Sequence, residues 1–405
     1  LKFMGRKIIN SFFAIILIGA VFYSGFWYGQ NHRPSIEKIG GISNLEINKP
    51  ADVDFTLFWD AWAKVQEKFV NRSKLDYQKM VYGAISGMLS ALDDPYTVFM
   101  TPQEKKDFSQ SMKGNFEGIG AEIGIRKNVL TILAPIVDSP AERAGLKAGD
   151  KILKINDKSS DGLSVDEAVS LIRGEKGTEV RLAIFREGWK ETKDFKIVRD
   201  KIIVPIVKLE TEKTSSGKEI AKITLSQFTE NSAAEFKKAA QKILASKNLG
   251  IILDLRNNPG GYLDSAVEIA GWFLPEGKVV VTEDYGDDKK IIHYSDGINE
   301  LSKYPLVILI NEGSASASEI LAGALKDHLG TKLVGQKSYG KGSVQELNQL
   351  GQGTAVKITV AKWLTPSGHS IMDAGLEADE KVELISEDID NGRDPQLVKA
   401  LEMLK

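Results

Sequence analysis

The chain contains no cysteine. That absence excludes disulfides, zinc–thiolate sites and a cysteine nucleophile together. It also leaves the redox state of the compartment unread, since a thiol-free chain tolerates either. Histidine is scarce: only His32, His293, His328 and His369 occur in 405 residues. Charge of one sign is lacking as well. Lys and Arg number 53 against 55 Asp and Glu, a formal net charge of −2, and the two signs are scattered. Such a surface gives no reason to expect nucleic acid as a partner. Neither a metal nor a cofactor is expected.

Long apolar runs are missing too, with one exception. Lys2, Arg6 and Lys7 precede an uncharged stretch from Ile8 to Tyr28, close to the ~20 residues that cross a hydrocarbon core. The basic flank predicts a cytoplasmic N-terminus, with Trp27 and Tyr28 at the far interface. A cleaved secretory signal is the competing reading. The run's length, and the lack of a small-x-small site after it, favour a retained single-pass anchor over residues 1–29. The rest of the chain is then expected outside the cytoplasm, on the periplasmic or extracellular side of the cell membrane. Residues 30–53 carry Gly, Pro, Asn and charge without periodicity and read as a linker.

At 42% apolar and 27% charged residues, the remainder reads as globular. Phe55, Phe58, Trp59, Trp62, Val65 and Phe69 fall on one helical face, and Val81, Ala84, Ile85, Met88, Leu89 and Leu92 on another. Asp93-Asp94-Pro95 ends the second stripe. Residues 54–113 are therefore expected to be a helical segment with its aromatics in a core. The alternative is a surface on which two copies pair as a homodimer.

Residues 114–199 change character. Ile119, Ala121, Ile123 and Ile125 alternate as a strand does. Further strands are expected at Val129–Ala134, at Lys151–Ile155 and over Val180, Leu182 and Ile184. An amphipathic helix is expected from Ser164 to Arg173, with Ser164 and Glu167 as a capping box. The runs Gly118-Ile119-Gly120-Ala121 and Ala144-Gly145-Leu146-Lys147-Ala148-Gly149-Asp150-Lys151-Ile152 resemble a PDZ domain. That resemblance implies a module that adds a peptide strand to a sheet edge and holds its terminal carboxylate in backbone N–H groups. Gly118, Ile119, Gly120 and Ala121 would bind the peptide end. The plainer reading is that these glycines only serve a turn.

From 200 to 386, apolar strands at Ile251–Leu255, Leu306–Ile310 and Lys332–Gly335 alternate with helical stretches at Leu263–Phe273 and Ala317–Leu329. This is an α/β pattern. A short amphipathic helix closes the chain within residues 387–405.

Within this region Asn311-Glu312-Gly313-Ser314-Ala315-Ser316-Ala317-Ser318-Glu319 links a buried strand to a helix. Ser316 and Glu319 have capping-box spacing, so Ser316 could simply cap the helix. The same position suits chemistry. A serine at a helix start lies beside unpaired N–H groups and the positive end of the dipole, where an oxyanion is stabilised. Its hydroxyl needs a base. His328 lies near the far end of the same helix, ~18 Å off at 1.5 Å per residue. His32 is in the linker and His293 in a charged stretch; His369 is not excluded by distance. The other possibility is Lys341, in Ser338-Tyr339-Gly340-Lys341-Gly342-Ser343. Gly335 to Lys341 also has Gly-x4-Gly-Lys spacing, but Gly342 stands where a phosphate loop needs Ser or Thr.

These motifs, in this order, resemble the carboxyl-terminal processing peptidases, or tail-specific proteases, of peptidase family S41. The matching runs are Asp94-Pro95-Tyr96-Thr97, Asp254-Leu255-Arg256-Asn257-Asn258-Pro259-Gly260-Gly261, Gly313 to Glu319, and Gly335 to Gln345. The resemblance implies a serine endopeptidase that cleaves proteins at or near their C-termini. It singles out Ser316 from three neighbouring serines as nucleophile. It makes Lys341 the general base and Gln345 the partner that orients it. It implies an oxyanion held by Ala317 N–H and one N–H of the Gly260–Gly261 turn. It also implies an α/β core of crotonase-like (ClpP/crotonase-related) type with the PDZ domain inserted. Two positions depart from the pattern: Ala378 replaces a usual proline and His369 a common arginine. A lysine base must be neutral, so burial must bring it down from ~10.4, with Glu312, Glu319 and Glu346 turned away from it. Two rivals remain: a non-catalytic PDZ adaptor at the membrane, and an acyl-thioester enzyme of crotonase type, suggested by fold analogy alone.

Overall fold

The computed structural model describes residues 53–405, apart from 113, 127–128, 137, 164, 204, 373, 386 and 389–390, together with Tyr23. The expected anchor and linker thus lie outside the described residues, Tyr23 and Val53 excepted, and so does Ser164 of the expected capping box. No helix among the described residues is long and apolar enough to cross a membrane.

Among the described residues, those up to Tyr77 belong to one compact unit and those from Gln78 to Lys405 to another. The first contains α1 (Thr56–Lys68) and a 3₁₀ turn at Arg72–Lys74. Trp62 is buried and stacks on Tyr77, ring centroids 6.1 Å apart. The rest of the stripe is divided: Phe58 and Trp59 are half-buried with their rings against Trp62, whereas Phe55, Val65 and Phe69 are exposed, as are Leu57 and Val70. Periodicity identifies a helix face but not what covers it.

α2 (Tyr77–Ser90) leads into the second unit. Its stripe is split. Leu89, with Ile85 beside it, packs on Phe99 and Val356, whereas Val81, Met88 and Leu92 are exposed. β1 (Val98–Met100), α3 (Pro102–Met112) and β2 (Asn115–Gly118) follow.

The next module contains β3 (Ala121–Arg126), β4 (Val129–Pro135), α4 (Pro140–Arg143), β5 (Lys151–Ile155), β6 (Lys158–Ser159), α5 (Val165–Ile172), β7 (Glu179–Phe185) and β8 (Lys193–Val198). Its sheet runs β3-β4-β5-β7-β8, with β6 off β5. In β7 Val180, Leu182 and Ile184 point inward and are fully buried with Ile132, Ile152 and Ala168, the alternation of a half-covered strand. β8 is not among the strands expected from sequence; in KDFKIV the lysines break the pattern. β9 (Asp200–Ile203) pairs antiparallel with β2, Gly118 opposite Asp200. The module therefore leaves the core and returns to it through one two-stranded ribbon.

The core consists of β10 (Val207–Lys213), β11 (Glu219–Leu225), α6 (Ser232–Leu244), β12 (Ile251–Asp254), α7 (Leu263–Gly271), β13 (Val279–Asp284), β14 (Lys290–Tyr294), β15 (Leu306–Ile310), α8 (Ala317–Leu329), β16 (Lys332–Gly335), β17 (Ser343–Gln349), β18 (Ala355–Leu364), β19 (Glu380–Lys381) and α9 (Pro395–Met403). One sheet runs β10-β11-β12-β15-β16-β19, parallel from β11 onward. Its central strands β12 and β15 are apolar on both faces because both are covered. Phe236 and Ile243 of α6, Ile269 of α7 and Leu321 of α8 bury one face; Ala400 of α9 packs with Ile252, Leu309 and Val334 on the other. A second, antiparallel sheet contains β14, β13, β18, β17 and β1. β1 pairs with β18, Phe99 opposite Val356, so the expected helical segment also contributes a strand to the core. Ala378, the departure noted above, is buried in that core.

Candidate active site

β12 and β15 are parallel neighbours, so the turns leaving their carboxyl ends lie side by side, the usual place for ligands in an open α/β sheet. The turns are tied together. Asn257 N–H donates to Asn311 Oδ1 at 2.8 Å, and Asn311 Nδ2 donates to Asn257 Oδ1 at 2.8 Å. Asn258 Nδ2 donates to Leu225 O at 2.7 Å, and Ala315 N–H donates to Asn258 O at 3.0 Å.

The three serines of the second turn differ in what their hydroxyls do. Ser314 Oγ donates to Leu255 O at 2.8 Å and Ser318 Oγ to Asn258 O at 2.9 Å, both fully buried. These two serve the scaffold. Ser316 is partly exposed; it forms a capping box with Glu319 across the first turn of its helix, and its hydroxyl is not tied to a neighbouring turn as those of Ser314 and Ser318 are. Its backbone sits at φ 56°, ψ −116°. A non-glycine residue at positive φ is strained, and such strain gathers at functional sites. The geometry matches a nucleophile elbow, where a strained strand-to-helix turn presents a serine.

Gly260 makes the close approach to this turn possible. At φ 91° a Cβ there would lie 2.7 Å from Ser316 Cβ and 2.9 Å from Ala317 N, so only glycine fits. Its own N–H donates to Asn258 Oδ1 at 2.9 Å. The N–H groups of Gly261 and Ala317 have no hydrogen-bond partner among the described residues.

Lys341 is half-buried, its Nζ 5.5 Å from the centre of the Tyr96 ring. It forms no ion pair among the described residues, and Glu312 and Glu346 are exposed. Burial pushes its amine below the usual lysine range, the nearby Lys357 charge pushes the same way, and Glu319 opposes both. Glu319 itself is buried with its carboxylate turned to backbone. It accepts Ser316 N–H at 2.8 Å and Lys341 N–H at 3.0 Å on Oε2. On Oε1 it accepts the Ser338 hydroxyl at 2.6 Å and Gly340 N–H at 2.7 Å. Burial raises its pKa, and these four bonds work against the rise.

Not every expected residue converges. No hydrogen bond joins Ser316 Oγ to Lys341 Nζ; such bonds often tighten only around substrate. Gln345 Nε2 donates to Ser343, at 3.0 Å to its carbonyl and 2.5 Å to its hydroxyl, rather than contacting Lys341. The three described histidines are engaged elsewhere: His293 with Glu283 at 2.6 Å, His328 with Val279 O at 2.7 Å, His369 with Ser367 at 3.4 Å. Sequence reasoning gave no role to Tyr96 or Lys357 and saw in Glu319 only a cap and a charge to be kept away. The Asp94-Pro95-Tyr96-Thr97 run was a signal for Tyr96.

The PDZ-like loop has its own geometry. Gly120 lies at φ 74°, and a Cβ there would come within 2.5 Å of Ser139 Cβ. The carbonyls of Ile119 and Gly120 accept bonds from Ala141 N–H and Ile136 N–H, at 2.8 and 2.9 Å, while the N–H groups of Ile119 and Gly120 have no partner among the described residues. Such N–H groups suit a carboxylate.

Comparison with known proteins matches three stretches of the chain. The description "Peptidase family S41" matches residues 219–382, a PDZ domain description residues 131–186, and the N-terminal domain of the activating protease CtpB residues 15–104. The carboxy-terminal processing protease CtpB of Bacillus subtilis (strain 168) is 40% identical over 351 residues, covering 83% of this chain and 72% of that one. This chain belongs to peptidase family S41. It is a serine-type carboxy-terminal processing peptidase with a PDZ domain, which removes the adaptor reading. The carboxy-terminal processing protease CtpA of the same organism is 40% identical over 349 residues, covering 85% of this chain and 73% of that one. The solved photosystem II D1 C-terminal processing protease is 29% identical with a TM-score of 0.55, covering 81% of this S41 chain and 92% of its own.

Proposed function

We propose that this S41 peptidase cleaves extracytoplasmic proteins at or near their C-termini with a Ser316–Lys341 dyad, on a core of the crotonase plan. The observation that supports it most is a half-buried lysine without an ion-pair partner among the described residues, on a loop hydrogen-bonded to the same carboxylate as the strained Ser316 turn. Neutral Lys341 takes the Ser316 hydroxyl proton as Oγ attacks the scissile carbonyl. The resulting oxyanion is held by Ala317 N–H and Gly261 N–H, since Gly260 N–H is already occupied. Collapse breaks the C–N bond, and the Lys341 ammonium returns its proton to the leaving amine. Lys341 then deprotonates the water that hydrolyses the acyl-enzyme. Gln345 orients the lysine once its amide leaves Ser343.

In this reading the PDZ domain receives the substrate tail at Gly118, Ile119, Gly120 and Ala121, with the terminal carboxylate on the Ile119 and Gly120 N–H groups. The basic N-terminus and the Ile8–Tyr28 run anchor the enzyme, with its catalytic part outside the cytoplasm. The exposed apolar face of α1 is where two copies would pair. The deciding experiment incubates residues from about 30 onward with an unfolded protein, with and without a chelator and a free tail peptide. Chelator-resistant cleavage, lost in Ser316→Ala and stimulated by the tail peptide, is expected. Cleavage that survives Ser316→Ala refutes the dyad.

A further inference from the structure

We infer that Glu319 is the positioning residue of the dyad: its single carboxylate holds the Ser316 turn and the Lys341 loop in one register. The inference rests on the proposed dyad and adds what keeps its two members aligned. Ser316 and Lys341 sit on opposite sides of α8 and β16 in the chain, and no hydrogen bond joins their side chains. Their backbone N–H groups nevertheless share one oxygen, Glu319 Oε2, at 2.8 and 3.0 Å.

The other oxygen secures the approach to Lys341. Oε1 accepts Ser338 Oγ–H at 2.6 Å and Gly340 N–H at 2.7 Å. Ser338 is braced in turn: its hydroxyl accepts Leu376 N–H at 2.6 Å and its N–H donates to Leu376 O at 3.0 Å. An ionised carboxylate offers about four acceptor positions, and here four donors fill them. Only an acceptor-only group can serve all four. Glu319 is 1% exposed, so water is no substitute, and any donor released there stays buried without a partner.

The clamp acts on the base in two opposing ways. It places Lys341, yet a buried anion nearby favours the ammonium form that cannot accept a proton. The groups around the lysine are Glu319 from α8, Lys357 from β18 and the Tyr96 ring ahead of β1. Of these only Glu319 draws its titration upward. Saturation by four donors keeps the carboxylate off Nζ, so the base is held without being paired.

Glu319→Gln separates the two effects. The amide keeps the shape, loses the charge and cannot accept at its nitrogen. In the full chain kcat is expected to fall at least about 100-fold, the scale of a ~1 Å misplacement, with tail-peptide binding intact. The Lys341 titration, read from the pH dependence of its acetylation by acetic anhydride in mass spectra, should move to lower pH. A more readily neutral lysine in a slower enzyme is the signature of lost positioning. Ser338→Ala keeps the charge and removes one donor; kcat should fall about tenfold with the titration unmoved, and this variant carries the test if Glu319→Gln does not fold. A Gln variant with kcat within about threefold of the parent, or with Lys341 titrating no lower, overturns the clamp. Ser316→Ala run alongside judges the dyad separately, and the acetylation readout still judges the clamp if the dyad fails.

Discussion

Arg256 and Lys341 are two cations withdrawn from water within the same core, and their surroundings push them in opposite directions. Arg256 is bidentate to both Asp254 and Asp394, with N···O distances of 2.7 to 3.0 Å, and also donates to Gln396 Oε1 at 3.0 Å. Burial disfavours its charge, but bonds and attraction from the two aspartates outweigh burial, so it is held above its usual range. Lys341 has burial and a like charge but no ion pair, so it is held below its own. Withdrawal from water alone therefore says little about role. A buried cation saturated by carboxylates is fixed as a charge and fastens structure; one left without them can lose its proton and do chemistry.

The sharpest way to break this contrast is to give the lysine site a permanent charge. Lys341→Arg should lose at least about 10⁴-fold in kcat/KM, as removal of a catalytic base does, because a guanidinium does not deprotonate in proteins. Lys341→Ala should fall equally far, with tail-peptide binding retained in both. Activity in the arginine variant within about tenfold of the parent would place the base elsewhere.

The opposite test removes the fastening cation. Arg256→Met should destabilise the fold by about 3 kcal/mol, read by urea unfolding, because Asp254 is left buried without its partner and α9 loses its tie through Asp394. The lower end of the range applies because Asp394 keeps 31% of its side chain exposed. The same tie predicts acid sensitivity. Burial works to raise the Asp394 carboxyl, but bonds from Arg256 and from Leu397 N–H lower it on balance. Its stabilising contribution is complete above the ordinary carboxylate pKa of ~3.9 and is lost as pH falls through the lower native value. In Arg256→Met the part of this acid dependence due to the arginine should vanish.

How far these roles can be read without coordinates differs between the two sites. The apolar runs at Leu306–Ile310 and Ile251–Leu255 reveal the parallel strands, because strands covered on both faces have nothing polar to interrupt them. The β17–β18 hairpin escapes notice, since SVQELNQ is half-exposed and its register comes from pairing across the sheet. Ser316 lies in a visible motif, yet local spacing does not rank it above Ser314 and Ser318. The ranking comes from carbonyls contributed by Leu255 and Asn258, which belong to a neighbouring strand's turn. Glu319 is harder still: as a cap it is local, but its other three donors come from the Ser338–Lys341 loop, beyond any helical spacing. The α1 stripe errs the other way, showing an apolar face that the described residues leave largely open.

The finest test of the contrast alters the field at Lys341 without touching the dyad. Lys357 lies on β18 with its Nζ 5.6 Å from the Phe108 ring, and its charge helps to hold Lys341 low. Lys357→Met keeps the length and the packing and removes the charge. With the like charge gone the Lys341 ammonium becomes easier to form, so its pKa rises. The rate depends on neutral Lys341, so the acid limb of kcat/KM should move to higher pH. Activity near neutrality should then drop a few-fold while the alkaline plateau stays unchanged, read from a pH–rate profile. An acid limb that stays in place would leave burial alone as the cause of the lowered pKa.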